Sequence, residues 1–249
     1  LICPTIKLWC SILIKNVMWG RINQLLENKM MALVKVIKNI VKDRQIIADK
    51  FGISIASRIE TLVSEGDSHN HGSAVTIITF ECGSKLVYKP RSVSGEVAYG
   101  KLLVRLNPNL CEPMMAAEAL ECEGYGYTGF LKSSPENSNM YQAGRLACLL
   151  YLLNATDMHY SNILWTEKGP IPIDLETLFH PRRIRTGTKE SEKSAYMALE
   201  TSVYGTGVLP LILTSKNSKG SVDVGFTGTR DENSQSPLDR KSTRLNSSH

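Results

Sequence analysis

The chain has 249 residues, of which 42% are hydrophobic and 21% charged, with a formal net charge of +5. That composition is ordinary for a single globular domain, and so mild a basic balance gives no argument for a nucleic-acid partner. Six cysteines, at 3, 10, 82, 111, 122 and 148, include no Cys-x-x-Cys pair, which points to free thiols in a reducing cytoplasm rather than to a zinc ribbon or a disulfide framework.

Leu1 to Trp19 is apolar but interrupted by Lys7 and Lys15, too short between charges to span a bilayer, and no small-residue cleavage site follows it. No stable membrane insertion is expected. From Met30 to Phe51, Leu33, Val36, Ile37, Ile40, Val41 and Ile47 recur near helical spacing and predict an amphipathic helix. A second helix is expected from Ile53 to Ser64. Asp67, His69 and His71 follow; two histidines at i and i+2 lack a third close soft ligand, so a loop near phosphate is favoured over a zinc site. Thr76 to Lys89 reads as two β-rich runs about a Gly83-Ser84 turn.

The run Val93 to Leu106 suits a helix with Ser94 as N-cap and Glu96 in its first turn. Glu96 has two readings, a partner for Lys89 or an exposed carboxylate favoured by the helix dipole, and the second is preferred. Lys132 to Met140, rich in Ser and Asn, reads as a loop. Tyr141 to Leu153 reads as a buried helix whose Tyr and Leu stripe is core, with Cys148 packed inside.

That helix leads into Asp157-Met158-His159-Tyr160-Ser161-Asn162, and Asp174 stands twelve residues after Asn162 at the end of a short apolar run. An Asp, an Asn five residues on, then a strand-terminal Asp is the spacing of a kinase catalytic loop. The first Asp orients or deprotonates a hydroxyl, and the Asn and second Asp offer the oxygen ligands that magnesium prefers. The phosphate cation is available as Lys89, 68 residues before Asp157 and at the end of a β-rich run. Singly, Asp174 reads as a turn residue and Lys89 as a solvated strand end before a proline; the ordered set is what carries the kinase reading. Downstream, Arg182, Arg183 and Arg185 read as a solvated charge run in preference to a phosphopeptide grip, and Thr214 to Leu238 reads as surface loop.

The same residues carry a family resemblance. Gly66-Asp67-Ser68-His69, Val87-Tyr88-Lys89-Pro90-Arg91-Ser92, Leu150-Tyr151-Leu152-Leu153-Asn154-Ala155-Thr156-Asp157-Met158-His159 and Ile173-Asp174-Leu175-Glu176-Thr177-Leu178-Phe179 resemble, in order, motifs of the dehydratase domain of class II lanthipeptide synthetases, the LanM type. The resemblance runs from about Ala32 to about Pro210. It implies a lipid-kinase-like core that uses ATP and magnesium to phosphorylate Ser and Thr of a ribosomal precursor peptide, bound through leader and core, and then eliminates phosphate to leave dehydroalanine or dehydrobutyrine. It further implies that Lys89 contacts phosphate, that Asp157 and His159 serve phosphoryl transfer, that Asn162 and Asp174 hold magnesium with Glu176 beside them, and that Asp67 and His69 form a further active-site pair. Ser161 stands where the family usually has Glu, and Tyr125 to Phe130 lacks the Trp and Glu of the family's inter-lobe segment. The Arg and Thr of the elimination step and the zinc-binding cyclase domain lie beyond this chain.

The fold expected is α+β, a protein/lipid-kinase-like two-lobed architecture with an N-terminal helical elaboration, truncated at both ends. Its expected parts are a helical region over 1–65, an N-lobe-like β-sheet with helix over 66–132, an incomplete C-lobe-like part over 133–238, and a tail over 239–249. That tail, Asp239 to His249, resembles a translated sequencing adapter. It carries three cations and one Asp, so the remainder has a net charge nearer +3. A lipid-type or small-molecule kinase and a nucleotide-binding pseudokinase are the alternatives.

Overall fold

The computed structural model describes residues 4–69, 73–179, 190–214 and 221–228. The adapter-like tail, His71, Arg182, Arg183 and Arg185 lie outside them, as do the side chains of Asp67 and His69. The chain divides into two compact units, Leu1–Ser84 and Lys85–His249, and mixes helix with sheet.

In the first unit, the expected amphipathic stretch forms the end of a long helix α1 (Pro4–Lys42) and a short α2 (Arg44–Phe51). Val36, Ile40 and Ile47 are buried while Ile37 and Val41 are exposed, so the apolar stripe is narrower than the periodicity suggests. Gly52 closes α2 with φ of 67°, donating its N–H to the Ala48 carbonyl; a left-handed residue there costs glycine little and stops the helix. The helix expected over Ile53 to Ser64 is therefore not formed. A turn around Ser54 is followed by strand β1 (Ile59–His69), antiparallel to β2 (Ser73–Phe80), with Leu62 opposite Ile78 and Val63 opposite Ile77. The cause is local: β-branched Ile59, Thr61 and Val63 favour a pleated surface, and the cap at Gly52 cuts them off from the preceding helix. Asp67 and His69 lie at the far end of β1, with His69 opposite Ser73.

The second unit begins with β3 (Lys85–Lys89), which pairs antiparallel with β5 (Tyr125–Gly129), and β5 in turn with β4 (Ala119–Cys122). Tyr125 to Phe130, expected as an inter-lobe segment, is thus mostly a strand between two others. Tyr88, Tyr125 and Tyr127 pack one face of this sheet with ring centroids 5.6 to 5.9 Å apart, spacing suited to offset or edge-on aromatic contact. Helix α3 (Ser94–Leu106) follows β3. Val93 occupies its N-cap position without a side-chain cap, and Ser94, expected there, is the first helical residue.

Helix α4 (Met140–Leu152) is capped by Asn139, whose side chain accepts from the N–H groups of Tyr141 and Gln142. It buries Ala143, Leu146, Ala147 and Leu150 in a core shared with Tyr99, Leu103, Met158, Leu175, Val208 and Phe226. Only half of the expected stripe is core, because Tyr141 and Tyr151 are exposed. Cys148 also faces out rather than packing inside; it sits five residues after Ala143, off the buried face. A hairpin of β6 (Ile163–Thr166) and β7 (Gly169–Pro172) follows. After helix α5 (Glu190–Glu200), short strands β8 (Ile212–Thr214) and β9 (Ser221–Asp223) pair with each other. The surface loop expected from Thr214 therefore includes a strand, and Val224 and Phe226 beyond it are buried. Among the described residues, no helix is long and apolar enough to cross a membrane.

Candidate active site

Strand β3 delivers Lys89 into a buried position, 5% exposed, on the parity opposite Tyr88. One turn into α3, Glu96 comes to meet it, with Lys89 Nζ 2.8 Å from Glu96 Oε1. Glu96 is 2% exposed, so the preference for an exposed helix-start carboxylate is corrected. A charge so deeply buried requires a partner, and Glu96 has two, since Arg91 Nη2 also donates to Oε1 at 3.0 Å. Burial pushes the Glu96 carboxyl up, but Lys89 and then Arg91 outweigh it and hold it below the ordinary carboxylate range. Its second oxygen, Oε2, has no hydrogen-bond partner among the described residues.

Lys89 Nζ donates as well to the Ile173 carbonyl, the peptide unit that leads into Asp174. The lysine thus arrives at the base of the predicted metal ligand. Arg91 completes the bridge: its Nη2 donates to Asp174 Oδ1 at 2.6 Å and its Nε stands 3.4 Å from Glu176 Oε2. Burial works against the guanidinium charge, and Asp174, then Glu96, outweigh that and hold its pKa above the ordinary value. The sequence pointed to Lys89, Asp174 and Glu176 but gave Arg91 no role; an arginine after Lys-Pro reads as a solvated flank until its partners from β7 onward are known.

The other half of the site is the turn after α4. Asn154, Asp157 and Phe179 have φ of 50°, 61° and 54°, left-handed values that are uncommon outside glycine and collect where function dictates backbone shape. Met158 is fully buried between Asp157 and His159, so its neighbours on either side are turned outward. His159 Nε2 lies 3.3 Å from Asp157 Oδ1, while its Nδ1 accepts from the Ser161 N–H at 3.3 Å and lies 2.8 Å from the Ser161 hydroxyl. With Nδ1 accepting, the neutral ring carries its proton on Nε2, facing Asp157. Ser161, atypical by resemblance, has a definite use here: it fixes the His159 ring.

Asn162 Nδ2 donates to the Asp157 carbonyl at 2.8 Å, and the Asn162 carbonyl accepts from the Ile173 N–H at 2.8 Å. Thr177 Oγ1 donates to the Thr156 carbonyl. Asp157, Asn162 and the segment from Asp174 to Thr177 are therefore stitched into one surface. Downstream residues also hold it: Met158 N–H donates to Thr206 O at 2.7 Å, and from the stretch expected as surface loop Val224 O accepts from Tyr160 N–H at 3.3 Å and Gly225 bridges to His159. This clamp was not legible from sequence, since strands of three residues leave no periodicity to read.

By the chemistry of their side-chain oxygens, Asn162, Asp174 and Glu176 are the residues that could hold magnesium. Asn162 keeps its side-chain oxygen after donating through nitrogen, Asp174 and Glu176 add carboxylates, and all are hard oxygen ligands. Among the described residues no three His, Cys, Asp or Glu side chains form a metal cluster.

Close packing joins the two halves. A Cβ placed on Gly95 would stand 2.5 Å from the Leu175 carbonyl oxygen, a backbone atom. Gly95→Ala is therefore expected to destabilise the protein by about 1–3 kcal/mol through overpacking, against the gain of up to about 1 kcal/mol that the same change brings in an unconstrained helix. Urea denaturation decides it, and a variant more stable than the parent would show that α3 does not press on the Asp174 segment.

Residues 16–247 match the family described as "Domain of unknown function (DUF4135)". Over 194 residues the chain is 30% identical to the lacticin 481/lactococcin biosynthesis protein LcnDR2 of Lactococcus lactis subsp. lactis, an alignment covering 72% of this chain and 21% of that protein. The chain thus spans about a fifth of the length of the curated relative it matches.

Proposed function

This chain belongs to the family of domains of unknown function DUF4135, and from that premise we propose that it is dehydratase sequence of a class II lanthipeptide synthetase, with a kinase-like fold. In this reading it phosphorylates Ser and Thr of a ribosomal precursor peptide and then eliminates the phosphate. The observation that carries the reading is the joining of Lys89, Asp157, Asn162 and Asp174: the lysine ammonium ends at the Ile173 carbonyl, the N–H of the same residue donates to the Asn162 carbonyl, and the Asn162 side chain donates to the Asp157 carbonyl. The 30% identity to a lacticin 481/lactococcin biosynthesis protein supports a peptide as substrate.

Bound magnesium-ATP would supply the phosphoryl group and screen its charge. Lys89 offers the fixed cation for phosphate, and Asn162 and Asp174, with Glu176 beside them, offer the metal ligands. Asp157 accepts the proton as the Ser or Thr oxygen bonds to phosphorus and ADP departs. His159, its Nε2 proton directed at Asp157, aims that carboxylate, so its part in transfer is positioning. In elimination a base removes the Cα proton, the Cβ–O bond breaks, and phosphate leaves with the bonding pair. Lys89 is unsuited to be that base, because Glu96 and Ile173 engage its ammonium.

The test is incubation of a full-length synthetase carrying this sequence, with the Arg and Thr of the elimination step present, with magnesium-ATP and a Ser/Thr-containing precursor peptide, read by mass spectrometry. Phosphate addition followed by loss of one water per converted residue is expected. Phosphate addition without water loss would leave a kinase alone, and an unmodified peptide beside phosphorylated lipid or small-molecule acceptors would replace this reading with the lipid-type one.

A further inference from the structure

Among the described residues, Arg91 is the one cation that touches both the buried anchor of the site and its rim. All three of its guanidinium nitrogens are engaged: Nη1 donates to the Ser92 carbonyl at 2.7 Å, Nη2 to Glu96 at 3.0 Å and to Asp174 at 2.6 Å, and Nε faces Glu176 at 3.4 Å. The planar fork allows this, as a lysine ammonium would not. These contacts fall into two sets. Glu96 is buried, whereas the Asp174 and Glu176 side chains are 34% and 57% exposed and are the carboxylates that the proposed metal would need.

We propose that Arg91 is a built-in counter-ion for the metal carboxylates, holding Asp174 and Glu176 together before metal arrives and yielding Asp174 to the metal while remaining tethered to Glu96 and Ser92. This rests on the magnesium reading given above. The physical argument is one of charge and geometry. Two carboxylates converging without a cation repel each other, and a monovalent guanidinium neutralises them without the octahedral shell a metal requires. A divalent ion brings twice the charge to the same oxygens, so exchange is favourable once phosphate completes that shell. The tether means that Arg91 is not expelled: it surrenders its rim contacts and keeps its inner ones, leaving Nη2 and Nε at the edge of the site with free donors. Arg91 is thus a positioning residue that sets how tightly the empty site takes metal.

The test is Mn2+ binding to the full chain in the presence of inorganic phosphate, followed by electron paramagnetic resonance. Arg91→Gln removes the competing cation and is expected to tighten Mn2+ binding about fivefold, the size suited to a partly exposed ion pair. Arg91→Lys, with one point charge in place of the fork, is expected to fall between the two, and serves as the probe should the Gln variant lose its melting transition. Mn2+ binding that is unchanged or weaker in a folded Arg91 variant overturns the proposal. Asp174→Asn separates the two claims: it should abolish binding in either background, and if it binds Mn2+ as the parent does, the metal assignment itself falls and the proposal with it.

Discussion

Asp157→Asn is expected to lower phosphoryl transfer about 10²- to 10⁴-fold, the usual worth of a positioned general base, while ATP still binds and the fold is undisturbed. The choice of Asn matters. Asp157 has φ of 61°, and Asn is among the few residues that accept a left-handed backbone, so the substitution removes charge and basicity without the strain that Ala would add. The side chain is 59% exposed and, among the described residues, pairs with the His159 side chain, so little packing is lost and the melting temperature should move by no more than a degree or two. Labelled-phosphate incorporation into peptide is the measurement. Transfer within threefold of the parent would remove Asp157 from the chemistry, and a collapse of melting temperature would show that the loss was structural.

Glu96→Ala is expected to cost about 3 kcal/mol of folding stability. Removing one member of a buried ion pair leaves the other charge uncompensated, typically at 3–5 kcal/mol; the lower end applies because Lys89 keeps the Ile173 carbonyl and Arg91 keeps Asp174. The effect has a pH signature. Because the folded Glu96 carboxyl lies below its ordinary value, its contribution is fully present above the unfolded value of about 4.3 and is lost only as pH falls through the lower folded value. Parent and variant should therefore differ by a constant amount from pH 8 to pH 5 and converge in strong acid. Urea denaturation across that range tests both parts, and a difference under about 1 kcal/mol at pH 7 would mean that water reaches the pair.

What the sequence could and could not reveal divides along the range of the interactions concerned. Lys89, Asp157, Asn162 and Asp174 were legible because each sits in a short motif at a fixed place on a local element. Glu96 was misjudged for the opposite reason. A carboxylate in the first turn of a helix is well placed in water and well placed against two cations, and only the approach of Lys89 and Arg91 decides between them. Arg91 was passed over because its partner Asp174 is 83 residues away. The Ile53 to Ser64 error came from weighing apolar spacing above the stop at Gly52. Asp67 and His69, joined to the site by resemblance alone, stay at the end of β1 with no side-chain geometry to argue from.

The clamp on the turn after α4 has a consequence for how the protein comes into being. Met158 leaves the ribosome well before Thr206 and Val224, the residues whose carbonyls fix its turn. At about 5–20 residues per second, the interval from the turn to the last of its anchors is on the order of several seconds. For most of that time the nascent chain holds the contacts that Asn162, Thr177 and Arg91 make around the turn but not those from Thr206, Val224 and Gly225. The turn is thus completed late and from downstream, so a chain halted before Val203 would carry the recognisable motif without the downstream part of its clamp.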